Sequence, residues 1–230
     1  MTRKEEIIYA TLELASEYGL KAVSLAQIAD KVGIKKPSLY NHFKSKIEIV
    51  SEMYSLLREQ AQRNNSVFTD YASIFENRCL EEILIICLSG YMGFLSDKNM
   101  LSFFKVLYSE KSTSPAAAQI MIDETERMIN NTKALFYALV VHNKMKNEDV
   151  DIAAMSYAMT IHSLVDRQMD KITAEKTETS EITEISADMQ AYVKWFSKQM
   201  EVADNGRCHN MVEISKSLPK KNKFIKVPIT

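Results

Sequence analysis

Ser24-Leu-Ala-Gln-Ile-Ala-Asp-Lys-Val-Gly-Ile-Lys-Lys-Pro-Ser-Leu-Tyr-Asn-His-Phe-Lys-Ser-Lys46 reads as two short helices set around a glycine turn. Ser24 with Gln27 is a capping-box spacing, in which the hydroxyl takes an orphan backbone N–H and the amide reaches back to the cap. A helix is therefore expected from Leu25. Leu25, Ile28, Ala29 and Val32 recur at helical spacing, so one face is apolar and must pack on something. Gly33 ends the helix, since the residue just past a helix often needs a positive φ that only glycine adopts without steric cost. Pro37 suits the first turn of a second helix, where its missing N–H has no partner to lose. That helix, expected over residues 36–43, turns Leu39 and Phe43 inward and Lys36, Ser38, Tyr40, Asn41 and His42 outward. Helix, glycine turn and short polar helix make a helix-turn-helix, whose second helix enters the DNA major groove.

The wording of this segment resembles the tetracycline-repressor (TetR) family of bacterial transcriptional regulators. The family signature is an apolar-periodic helix, a small-residue turn, then Leu-Tyr-x-His-Phe followed by a lysine. It stands here as Leu39-Tyr40-Asn41-His42-Phe43 and Lys46, after Ile28-Ala29 and Val32-Gly33, and covers the first 60 residues. The resemblance implies that Tyr40, His42 and Lys46 hold the DNA backbone, while Lys36, Pro37, Ser38 and Asn41 lie near bases. Side-chain chemistry agrees: Lys35 and Lys36 can neutralise phosphate or donate to guanine, Ser38 and Asn41 can bond base edges, and Tyr40 and His42 can donate to phosphate. With Ser24 at the head of the first helix, these nine residues are the candidate DNA-binding set. Two departures stand out. Lys35 replaces the serine or threonine the family often has after the turn, leaving the second helix without a natural cap. Pro37 replaces a frequent glycine and offers apolar surface to a thymine methyl.

The formal net charge of −1 conceals an uneven distribution. Residues 1–46 carry 8 Lys/Arg against 5 Asp/Glu, residues 47–204 carry 15 against 24, and residues 205–230 carry 6 against 1. Only the part touching phosphate needs positive charge, because counterion release is local. The acidic middle favours docking through the N-terminal face. Three cysteines without paired spacing predict no disulfide framework, which fits a reducing cytoplasm. The N-terminus has no apolar signal region, and the nearly apolar run 83–95 is too short to span a bilayer. A cytoplasmic protein is expected.

Along the chain, Ile7, Thr11, Leu14 and Tyr18 form a stripe on a first, scaffold helix over residues 3–18, and Ser45 with Glu48 opens a linking helix to about residue 63. A polar stretch, residues 64–77, breaks the pattern. Further helices are expected over 79–96, 100–111, 115–145, 149–171 and 182–203, with no strand alternation. The expectation is an all-α chain: a three-helix DNA-binding domain over 1–62, a larger helical effector-binding and dimerisation domain over 63–204, and a basic tail over 205–230 that is either solvated and disordered or brushes DNA or packs on the partner subunit. Two amphipathic helices near the end suit a four-helix interface between two-fold-related copies, with Met155, Met159, Tyr192 and Phe196 as interface candidates.

The second domain is rich in aromatics and methionine. Such side chains are often plain core, but they also make adaptable apolar pockets. The family resemblance implies a small effector between the middle helices, with Tyr91, Phe104, Tyr108, Tyr137 and His162 as lining candidates. No catalytic residue, metal site or cofactor is expected: of four histidines only His162 has a carboxylate, Asp166, one turn away, and no nucleophile accompanies it. Cys208-His209 lacks a second ligand pair. The reading is a homodimeric repressor released from a palindromic double-stranded DNA operator by an apolar small molecule. The alternative is a DNA-binding regulator controlled by a protein partner or without an effector.

Overall fold

Helix boundaries in the computed structural model, which describes residues 1–64, 74–175 and 184–202, follow local capping chemistry. Thr2 and Glu5 close a capping box at the start of α1 (Arg3–Tyr18). Ser24 and Gln27 do the same for α2 (Leu25–Val32), and Gly33 ends it in the left-handed region at φ 73°. The Ile34 N–H then donates to the Ala29 carbonyl at 2.9 Å, satisfying a carbonyl that a helix end otherwise leaves orphaned.

The second helix of the motif is shorter than expected. α3 spans Lys36–Leu39, and beyond it the chain tightens into three-residue turns. Asn41 N–H donates to the Ser38 carbonyl at 3.2 Å and His42 N–H to the Leu39 carbonyl at 3.0 Å. This narrower winding brings the chain round to Ser45, where the next helix begins. In α4 (Lys46–Asn64), Glu48 N–H donates to Ser45 Oγ while the Glu48 carboxylate accepts from Lys44 N–H at 2.6 Å.

The remaining helices are α5 (Leu80–Leu95), α6 (Lys98–Glu110), α7 (Pro115–Val141), α8 (Val150–Glu175) and α9 (Ala187–Met200). No strand occurs among the described residues, and the fold is all-α. α7 stops before the expected residue 145 because Asn143 takes a left-handed φ of 54°, a conformation asparagine tolerates, and Lys144 N–H caps back onto the Leu139 carbonyl at 2.8 Å. The tail 205–230, with Cys208 and His209, lies outside the described residues, as does the start of the helix expected from residue 182. The expectation of no disulfide framework turns in part on Cys208, which lies outside the described residues. Cys87 is a free thiol.

Two large apolar clusters hold the helices, and a small third joins Leu101 to Ile172. The first joins Ile7, Leu12, Ile28, Leu39, Phe43, Ile49, Met53 and Leu57 to Met100, Phe103 and Leu107 of α6 and to Ala117 and Met121 of α7. No gap in the packing separates the helix-turn-helix from the body, so the head is carried on α6 and α7 as well as on α4. The second joins α5, the end of α7, α8 and α9 through Ile83, Leu88, Met92, Phe136, Tyr157, Val193 and Phe196. Between Met121 and Leu135, α7 contributes no buried hydrophobic residue to either cluster. No described helix is long and apolar enough to cross a membrane.

Candidate nucleic-acid interface and interior cluster

Leu39 and Phe43 are buried, and this fixes the outward row of the motif. Lys35, Lys36, Pro37, Tyr40 and Asn41 are exposed, and Ser38 and His42 are half-buried beside them. Lys35 makes no side-chain cap bond to α3. The Lys4 ammonium lies over the Phe43 ring, 5.3 Å from its centroid, a cation–π contact that ties α1 to the back of the recognition segment.

Two of the nine candidate residues are already engaged within the chain. Ser24 Oγ accepts from Gln27 N–H and donates to the Gln27 side chain at 2.8 Å. The Lys46 ammonium donates to the Leu20 carbonyl at 2.5 Å, bracing the loop between α1 and α2. Burial lowers the Lys46 pKa and the nearby Glu110 charge offsets part of that. Sequence spacing could not reveal this contact, because its partners are 26 positions apart.

The pocket candidates separate. Tyr137 is exposed and its hydroxyl donates to Asp151 at 3.3 Å, on the outer side of α7. Tyr108 and His162 meet between α6 and α8. The Tyr108 hydroxyl donates to Asp166 Oδ1 at 2.6 Å and lies 3.1 Å from His162 Nε2. Tyr91 and Phe104 are half-buried, and Phe104 touches both large apolar clusters. Burial raises the Tyr91 phenol, and the charges of Asp166 and Glu124 raise it further. Sequence reasoning missed Glu124. It sits in the part of α7 that lacks buried hydrophobic residues and is held by Arg127 at 2.8 Å. Arg58 of α4 pairs with the adjacent Asp123, linking α4 to α7.

A pH response follows. Burial lifts the Tyr54 phenol to about 12 and also raises those of Tyr91, Tyr108 and Tyr157, with the hydrogen bond to Asp166 adding to the effect at Tyr108. Unfolded phenols ionise at about pH 10. Above that the unfolded chain binds fewer protons than the folded one, so stability falls as pH rises. The lowered Lys46 pulls the other way, against these four phenols and the Cys87 thiol, which burial also raises. Urea unfolding between about pH 9 and about pH 11 should show declining stability, and Tyr54→Phe should flatten the decline.

α8 presents a separate row. Ile152, Met155 and Met159 are exposed on it, and α9 adds an exposed Trp195 stacked on Tyr192 at 6.0 Å. Phe196, expected at the interface, instead packs inward against Phe136 and Tyr157 at 5.6 and 5.0 Å, because α9 carries aromatics on adjoining faces and only one of them fits the core.

Comparison with known proteins agrees with this geometry. Residues 7–53 match the model for bacterial regulatory proteins of the tetR family, and residues 82–196, half of the chain, match that of the AefR-like transcriptional repressor C-terminal domain. The HTH-type transcriptional repressor KstR2 of Mycolicibacterium smegmatis is 40% identical over 52 residues, 23% of this chain and 25% of that protein. The HTH-type transcriptional activator FasR of the same organism is 38% identical over 47 residues, 20% of this chain and 22% of that protein. The match thus spans about a quarter of the length of these curated relatives. A TetR-family transcriptional regulator from Marinobacter aquaeolei VT8 shares the fold with a TM-score of 0.60 at 15% identity, over 86% of this chain and 98% of that one. With a helix-turn-helix at its head and a family match across half its length, the chain belongs to the TetR family of bacterial transcriptional regulators.

Proposed function

We propose that the protein is a cytoplasmic homodimeric repressor that occupies a palindromic DNA operator and is released by a small molecule bound between α5, α6, α7 and α8. The observation that carries the DNA half is the exposed row Lys35, Lys36, Pro37, Tyr40 and Asn41 standing over a buried Leu39 and Phe43. Lysines on that row supply the salt-dependent attraction to phosphate, and Asn41 suits an adenine edge. A two-fold dimer presents two such rows about one duplex turn or a multiple apart, roughly 34–36 Å, and hence reads a palindrome.

The release half draws support from the coupling of α4 to the body. α4 carries the head and is tied to α7 through Arg58 and Asp123, next to Glu124. A ligand that moves α7 therefore biases the spacing of the two heads, and affinity falls as the operator-fitting conformation is depopulated. Repression is drawn from the AefR-like repressor match over residues 82–196, because the relatives matched at the reading head include both a repressor and an activator. Operator selection from random duplexes tests the proposal. The full chain should return a palindrome, and Lys36→Ala or Tyr40→Ala should weaken or abolish the selection. An unchanged profile in both variants rejects the assigned row.

A further inference from the structure

The middle of α7 is the least explained part of the molecule. Its neighbours toward either end bury Ala117, Ile120 and Met121 in one cluster and Phe136 and Leu139 in the other. Between them a carboxylate occupies the inner side. The Glu124 side chain is 9% exposed; one oxygen accepts from Arg127 and the other, Oε1, is buried without a partner. An unmet charged acceptor in the interior costs about 1–3 kcal/mol or more, so its retention calls for an occupant.

The surroundings define that occupant. Glu124 and Asp166 act together on Tyr91 from α7 and α8. Arg127 holds the other Glu124 oxygen and the Arg58 guanidinium holds Asp123, while the buried Arg58 Nε has no partner. Tyr108 is occupied, with the Lys111 ammonium 4.2 Å from its ring centroid and its hydroxyl on Asp166. What remains is a free carboxylate oxygen with the half-buried Tyr91 and Phe104. We propose that Glu124 takes up an organic cation, its charged nitrogen on Oε1 and its apolar body against Tyr91 and Phe104. Ring faces attract a desolvated cation, and a buried carboxylate gains most from a charged partner.

The inference rests on the effector reading, and the experiment separates the two. Full-length protein is titrated with one- and two-ring aromatic compounds, each in trimethylammonium, hydroxymethyl and carboxylate form, by calorimetry and by thermal shift. The trimethylammonium forms should bind about tenfold tighter or better than their counterparts. Glu124→Gln should erase that preference, whereas Glu126→Gln, exposed on the same helix, should keep it. Asp166→Asn should reduce it if Glu124→Gln compromises folding. Equal or better binding of the neutral or carboxylate forms, a preference unchanged in Glu124→Gln, or no binding across the panel overturns the proposal. Binding that depends on Glu124 but leaves operator affinity unaltered upholds the cation site and rejects release.

Discussion

Phe43→Ala should lower stability by about 3–5 kcal/mol, the usual cost of emptying a buried aromatic site, and should abolish operator binding at ordinary temperature. Phe43 is 1% exposed and shares one cluster with Ile7, Leu39 and Met53, and through them with Phe103 and Leu107 of the body. Its loss also removes the ring under the Lys4 ammonium. Chemical denaturation followed by circular dichroism reads the effect. Tyr40→Ala provides the contrast: Tyr40 is 48% exposed, so stability should change by less than about 0.5 kcal/mol while operator affinity falls. If Phe43→Ala retained full stability, the shared core between head and body would be the wrong description.

The second large effect is expected on the α8 row. Met155→Lys with Met159→Lys should convert the protein to a monomer in analytical ultracentrifugation and weaken operator binding about 10²-fold or more, since two linked heads gain 10²–10⁴ in avidity over one. Both methionines are more than two-fifths exposed in the single chain, and Ile152 and Trp195 are exposed further, at 61% and 58%. Monomeric proteins seldom leave so many large apolar groups open on adjacent elements. Because neither methionine lies in a monomer core cluster, the substitutions should leave the fold intact. A double variant that stays dimeric would remove this row from the interface, and a monomer with undiminished affinity would remove dimerisation from operator reading.

Features whose partners lie within about five positions were legible in the order of residues alone. Ser24 with Gln27, Gly33 at positive φ and Pro37 in the first turn of α3 set the helix-turn-helix, because caps and turns are bonds between near neighbours. The apolar stripes likewise foretold an all-helical body and the burial of Leu39 and Phe43, since periodicity alone says which face must be covered. What each stripe packs against, and which polar atoms meet, followed from the tertiary arrangement of the helices. Lys46 reaches back to Leu20, Tyr108 crosses to Asp166, Arg58 crosses to Asp123, and Glu124 is left with a free oxygen. On α9 the sequence offered Tyr192, Val193, Trp195 and Phe196 without saying which faces inward; packing against Phe136 and Tyr157 chose Phe196 and left Trp195 outside. Contacts between residues dozens of positions apart depend on how helices are placed in space, and helical periodicity carries no record of that placement.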